Sequence, residues 1–170
     1  MKVCEMKIGI IGDTHDHLPH IKRAVEALIG EDVGLVLHTG DYIAPFVIPI
    51  LGRIPIRLVG VFGNNDGDRE LLMTRSREHK QIELKGYFAE LVVEGERIAL
   101  LHGHDRALLA DCMESGRYDV VVHGHTHQYT VYRVGSTLGI NPGEICGYLT
   151  GNPTYAIYQT GERDAQIISL

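Results

Sequence analysis

Five times along this chain an apolar run ends beside a glycine in an Asp, an Asn or a His. KIGIIG (Lys7–Gly12) leads into Asp13–Thr14–His15, VGLVLHTG (Val33–Gly40) into Asp41, and IRLVGVFG (Ile56–Gly63) into Asn64–Asn65–Asp66. RIALL (Arg97–Leu101) leads into His102–Gly103–His104, and DVVV (Asp119–Val122) into His123–Gly124–His125–Thr126–His127. Short runs of this kind read as buried strands. Each polar cluster then stands at the C-terminal end of a strand, the edge of an α/β sheet where ligands bind. Glycine lets the backbone turn sharply there and bring the side chains together.

Between these runs lie amphipathic stretches. Leu18–Ile29 has apolar residues at helical spacing with Pro19 near its start. Ala44–Leu51 reads as a short helix, Arg69–Arg77 as another, and Arg106–Ser115 as a helix ending at Gly116. Phe88–Val93 and Arg97–His102 flank Glu94–Gly95–Glu96 and read as a hairpin. From Tyr129 to Leu170 the pattern is strand and turn. The front is therefore β-α-β-α-β and the back mostly antiparallel β, which predicts an α/β sandwich of two sheets. With no repeat or linker-like stretch, residues 1–170 form a single expected domain. The residues before Met6 are expected to be a start-site extension, because the first strand pattern begins at Lys7.

Composition narrows the function. A net charge of −6 argues against non-specific nucleic-acid binding. No apolar stretch is long enough to span a bilayer, and the N-terminus lacks the pattern of a secretory signal. Cys4, Cys112 and Cys146 are widely spaced and form no CxxC, which predicts a reducing, cytoplasmic setting, with Cys112 in the core.

The donors at the strand ends are chemically coherent. Asp oxygen, Asn oxygen and His nitrogen without thiolate suit borderline first-row ions. Asp13, His15, Asp41, Asn64, His102, His125 and His127 make seven donors, too many for one ion with an open position. They fit two ions about 3.5–4 Å apart sharing a carboxylate, an arrangement used for displacement at phosphorus. His17, His20, His38, His79 and His123 are read as structural or solvated histidines. The segment Asn141–Pro153 reads as a structural loop, with Cys146–Tyr148 at the mouth of the site as the sharper alternative.

These motifs resemble those of the calcineurin-like metallophosphoesterases. The signature of that family runs D-x-H, G-D, G-N, H and G-H-x-H. It is matched here by Asp13–His15, Gly40–Asp41, Gly63–Asn64, His102 and Gly124–His127. The small size and the GNND form (Gly63–Asp66) resemble its single-domain prokaryotic phosphodiesterase branch. The resemblance implies a four-layer α/β/β/α sandwich of two mixed sheets. It implies two divalent transition-metal ions, with Mn²⁺ first and Ni²⁺, Co²⁺, Fe²⁺ or Zn²⁺ as alternatives. One ion would take Asp13, His15, Asp41 and His127, and the other Asp41, Asn64, His102 and His125. The implied activity is hydrolysis of a small phosphodiester by a hydroxide held between the ions. The resemblance leaves room for a homodimer.

One position departs from the family. Many relatives carry a histidine where this chain has Asn65, and that histidine is assigned to substrate binding or leaving-group protonation. Asn65 can donate a hydrogen bond but not a proton. His104 is the first candidate to replace it, or else it orients His102, and Asp66 is the second candidate. Asp41, Asn65 and His104 are thus the expected catalytic set. The alternatives are a phosphatase or pyrophosphohydrolase on the same site, and an interaction scaffold like the small retromer subunit.

Overall fold

Within the central strands, such as β1 (Lys7–Ile11) and β7 (Val120–Val122), the side chains alternate between two faces, and both faces are buried. This alternation builds the layers of the molecule. The structure, a computed structural model, describes residues 5–170. Cys4 and, apart from Glu5, the expected extension before Met6 lie outside the described residues.

One sheet is formed by β1 (Lys7–Ile11), β2 (Leu35–His38), β3 (Leu58–Gly60) and β4 (Ile82–Leu84) in parallel, extended by two antiparallel strands, β10 (Thr154–Gln159) and β11 (Asp164–Ser169). Its order is β11-β10-β1-β2-β3-β4. The other has order β5-β6-β7-β9-β8, from β5 (Phe88–Val93), β6 (Glu96–Leu101), β7 (Val120–Val122), β9 (Thr137–Asn141) and β8 (Thr130–Val134). Glu94 and Gly95 join β5 to β6 with φ of 49° and 83°, the left-handed pair that a two-residue hairpin turn requires.

Ile8, Ile10, Leu35, Leu37, Val59 and Val61 face Leu91, Ile98, Leu100, Val120, Val122 and Ile140 between the sheets. The intervening residues Ile11, Val36 and Leu58 face the opposite way. They pack under α1 (Leu18–Gly30), α2 (Ile48–Leu51) and α3 (Arg69–Ser76). Val121, Ala99 and Leu101 do the same under α4 (Arg106–Glu114), together with Cys112 and Met113. The result is the expected α/β/β/α sandwich of two mixed sheets. Asp68 and Asp105 start α3 and α4 by accepting from the backbone N–H of Leu71 and Leu108, each at 3.0 Å.

Three local expectations change. The second half is mostly antiparallel, as expected, but β7 departs from that and runs parallel to both β6 and β9. A helix carries β6 over to β7, and β8 folds back on β9, so the chain can return in the same direction. β4 is an additional strand of three residues, too short to show a period. The stretch read as one short helix over Ala44–Leu51 divides into a 3₁₀ turn, Pro45–Val47, and α2.

The two sheets are also tied by a buried polar link. The Tyr158 hydroxyl on β10 donates to Glu96 on β6 at 2.6 Å, and Gly161 N–H donates to the same carboxylate at 3.1 Å. Burial first, and then Glu96, push the Tyr158 hydroxyl above its ordinary value. An unfolded tyrosine ionises near pH 10. The folded protein therefore holds its proton more tightly than the unfolded chain does above that pH, and stability must fall as pH rises. Urea denaturation between pH 8 and 11 is expected to show a decline that starts at about pH 8.5, where the thiols of Cys112 and Cys146 ionise in the unfolded chain but are held protonated by burial in the fold, and that steepens above about pH 10. Tyr158→Phe should flatten part of the steeper decline. The chain has eight tyrosines and no tryptophan, so the difference in tyrosinate absorbance between the wild type and Tyr158→Phe reports the ionisation of Tyr158.

Candidate metal centre

The strand ends of both sheets meet along one crest. Backbone strain marks it. Of nine non-glycine residues with positive φ among the described residues, five are predicted ligands: Asp13 (45°), His15 (43°), Asp41 (59°), His125 (72°) and His127 (61°). Asp and His tolerate the left-handed region better than branched residues, yet each still costs about 1 kcal/mol to hold there. Such strain persists where surrounding structure over-determines it.

Asp13 follows β1 and is fully buried. Its Oδ2 accepts from His125 N–H at 3.0 Å, while its Oδ1 has no hydrogen-bond partner. Burial pushes its carboxyl up to about 6, against the pull of His102 and His127. Asp41 follows β2 and is also fully buried. Burial pushes its carboxyl upward, but His102 and the hydrogen bonds from Asn65 outweigh that and hold it well below the usual range. Gly63 faces it closely, and a Cβ there would run into Asp41 Oδ1. Gly124 is confined in the same way, since its Cβ would sit 2.7 Å from Asp13 Oδ2.

Two histidines arrive already oriented. His102 Nδ1 meets the Thr39 carbonyl at 2.9 Å, so that nitrogen carries the proton. Its Nε2 is left toward Asp41 Oδ2 at 3.4 Å, with no hydrogen-bond partner. His127 Nδ1 meets Glu144 Oε2 at 2.6 Å, which leaves its Nε2 toward Asp13 Oδ1 at 3.6 Å. Metal-bound histidines are commonly held by such an outer carboxylate or carbonyl. His15 Nε2, 3.8 Å from Asp41 Oδ2, is likewise without a partner, and burial lowers its proton affinity.

The donor atoms of Asp13, His15, Asp41 and His127 all lie within 4.8 Å of one another. The other three predicted ligands are spread more widely. The His102 and His125 rings stand 5.1 Å apart, and exposed Asn64 lines the cavity that His102 also lines. Three orphaned buried atoms, Asp13 Oδ1, His15 Nε2 and His102 Nε2, face this crest. Buried polar atoms are rarely left unpaired, and these are hard-to-borderline donors that fit a divalent ion.

The expected catalytic set is placed differently from its reading in the sequence. Asn65 donates both its backbone N–H (2.9 Å) and its side-chain amide (2.8 Å) to Asp41, so it braces that carboxylate. Asp66 drops out as a proton donor. It is buried, and both its oxygens are occupied by the backbone N–H groups of Asp41, Tyr42, Ile43 and Gly63. His104 is exposed and lines the cavity beside the crest, its ring 5.5 Å from that of His102. His38 and His123 are structural, as expected: His38 accepts from Gly40 N–H, and His123 Nε2 pairs with the Tyr132 hydroxyl.

Glu144 was not singled out in the sequence. It is fully buried and gathers His127, the Cys146 thiol and the backbone N–H groups of Leu149 and Thr150. Its only signal is an acid set among turn residues in Asn141–Pro153. That segment is thus a structural loop that also borders the site, with the exposed Tyr148 ring 6.2 Å from that of His15. Glu144→Gln is expected to weaken metal binding about 10–100-fold by calorimetric titration. An unchanged affinity would show that Glu144 merely packs the loop.

The motifs and the geometry agree with the comparisons to known proteins. The model of the calcineurin-like phosphoesterase superfamily domain matches residues 6–163. A phosphodiesterase of Methanocaldococcus jannaschii is 39% identical over 165 residues, covering 97% of this chain and 99% of its own. A solved archaeal phosphodiesterase, also 39% identical, has a TM-score of 0.91 and covers 97% of this chain and 100% of its own. Vacuolar protein sorting 29 from Cryptosporidium parvum, at 20% identity and a TM-score of 0.68 with 98% and 97% covered, shares the fold. This chain belongs to the calcineurin-like phosphoesterase superfamily.

Proposed function

We propose that this metal-dependent phosphoesterase is a dinuclear phosphodiesterase acting on small diesters, with Mn²⁺ as the first metal to test and Ni²⁺ next. The observation that carries the reading is the set of buried, unpartnered donor atoms converging on Asp41. Asp13, His15, Asp41 and His127 would hold one ion, and Asp41, Asn64, His102 and His125 the other. Two such ions supply Lewis-acid stabilisation of the phosphoryl oxygens and bring the ionisation of water toward neutral pH.

The chain's own residues do the rest. Asn65 keeps Asp41 oriented with two hydrogen bonds. Thr39 and Glu144 fix the tautomers of His102 and His127. His104 is within the cavity and free of the ligand set, so it is the residue to hand a proton to the leaving oxygen. Arg69 is the one cation among the residues lining that cavity, which suits a singly charged diester better than a dianionic monoester. A filled ligand set also favours an enzyme over a scaffold. The net charge of −6 favours a small substrate over a nucleic acid. Among the described residues no helix is long and apolar enough to cross a membrane, and the cysteine usage favours the cytoplasm.

Two experiments test this. Chelator-stripped protein should be inactive on bis-p-nitrophenyl phosphate and regain turnover with Mn²⁺. Asp41→Asn should lose at least about 100-fold. Failure of every divalent metal to restore turnover contradicts the reading. Removing the acid with His104→Ala should slow alkyl esters by about 100-fold and p-nitrophenyl esters only a few-fold, because p-nitrophenolate leaves without a proton. Equal losses on both would deny His104 that role.

A further inference from the structure

A cavity of about 470 Å³ opens directly beside the crest. Asn64, His102 and His104 line it together with Tyr87, Leu101 and Leu108. Tyr87 sits on the turn between β4 and β5, just after Gly86, whose φ is +79°. It is 47% exposed, so its ring is open to a ligand.

Tyr87 is nonetheless held. The Arg69 guanidinium lies 5.3 Å from its ring centroid, a cation–π contact. The Phe62 ring meets it edge-on at 6.1 Å, and the His104 ring at 6.2 Å. Leu108 on α4, half-buried, and Leu101 at the end of β6, buried, add apolar lining. The cavity therefore presents a braced aromatic ring and the partly exposed Leu108 to solvent, next to the place where phosphorus would bind. Mostly apolar concave sites with a few convergent polar groups bind the organic part of a ligand.

We propose that this cavity seats one ester arm of the substrate and selects an arm carrying an aromatic ring, with Tyr87 as the specificity-determining residue. The proposal rests on the phosphodiesterase reading of the crest. An aromatic arm would stack on or meet Tyr87 edge-to-face and cover Leu108, whereas a short alkyl arm would leave both wet. Arg69 is a positioning residue, since it fixes the ring and lends charge to the neighbouring phosphate.

Methyl(phenyl)phosphinate and dimethylphosphinate separate the two parts of the site. They share a singly charged headgroup, as a diester does, have no ester bond and are not consumed. Calorimetry on Mn²⁺-loaded protein should show methyl(phenyl)phosphinate binding roughly tenfold more tightly than dimethylphosphinate. The gap should close in Tyr87→Ala and persist in Tyr87→Phe. Tyr87 lies half-exposed on a turn, and a circular-dichroism melt checks that Tyr87→Ala keeps the fold. A wild-type protein with no phenyl preference, or a preference that survives Tyr87→Ala, overturns the proposal while sparing the crest. If neither phosphinate binds the loaded protein, the crest reading falls, and this one with it.

Discussion

The carboxylate of Asp66 holds the crest in shape. It is buried and accepts four backbone N–H groups, from Asp41, Tyr42, Ile43 and Gly63, at 2.6–3.0 Å. Those groups belong to the turns after β2 and β3, which would otherwise carry unpaired amides inside the protein. Each such amide would cost about 1–3 kcal/mol if left unsatisfied. By pairing them, Asp66 clamps the two turns together and allows Asp41 and Ile43 to sit at positive φ, 59° and 72°. Asp41 is then aimed at the junction of the two sheets, where ligands from both can reach it.

The rest of the site repeats this logic. Asp13 is positioned by the amide of His125, so the first strand of one sheet is tied to the ligand turn of the other. Asn141 does the same for that turn, donating to the Gly124 carbonyl and the Thr126 hydroxyl. Thr39 and Glu144 orient imidazoles from behind. At Asp13 and His102 the protein's hydrogen bonds are made on one side, and Asp13 Oδ1 and His102 Nε2 are left unpaired toward the crest. That division is what a preformed cation site requires, because the strain and the orphaned atoms are repaid only when an ion binds.

Much of this was legible in the chain. Apolar runs ending in Gly with Asp, Asn or His gave both the strand polarity and the seven donors, because burial and ligation leave opposite residue types at adjacent positions. The supports were not legible. Asp66 and Glu144 act on backbone amides and a ring nitrogen distant in sequence, and a lone acid in a turn gives no sign of that. Asn65 read as a substrate-facing group because its position is occupied by a histidine in relatives, yet here its side chain turns back onto Asp41. The parallel pairing of β7 and β9 was hidden by β8, since a strand and turn pattern looks the same whichever way its neighbours run.

In the proposed dinuclear centre Asp41 is shared by two ions. Equilibrium dialysis of the stripped protein against Mn²⁺, read by electron paramagnetic resonance, measures this. Two Mn²⁺ per chain with an exchange-coupled spectrum are expected. A single Mn²⁺ per chain at saturation, with the six-line signal of an isolated ion, would contradict that proposal.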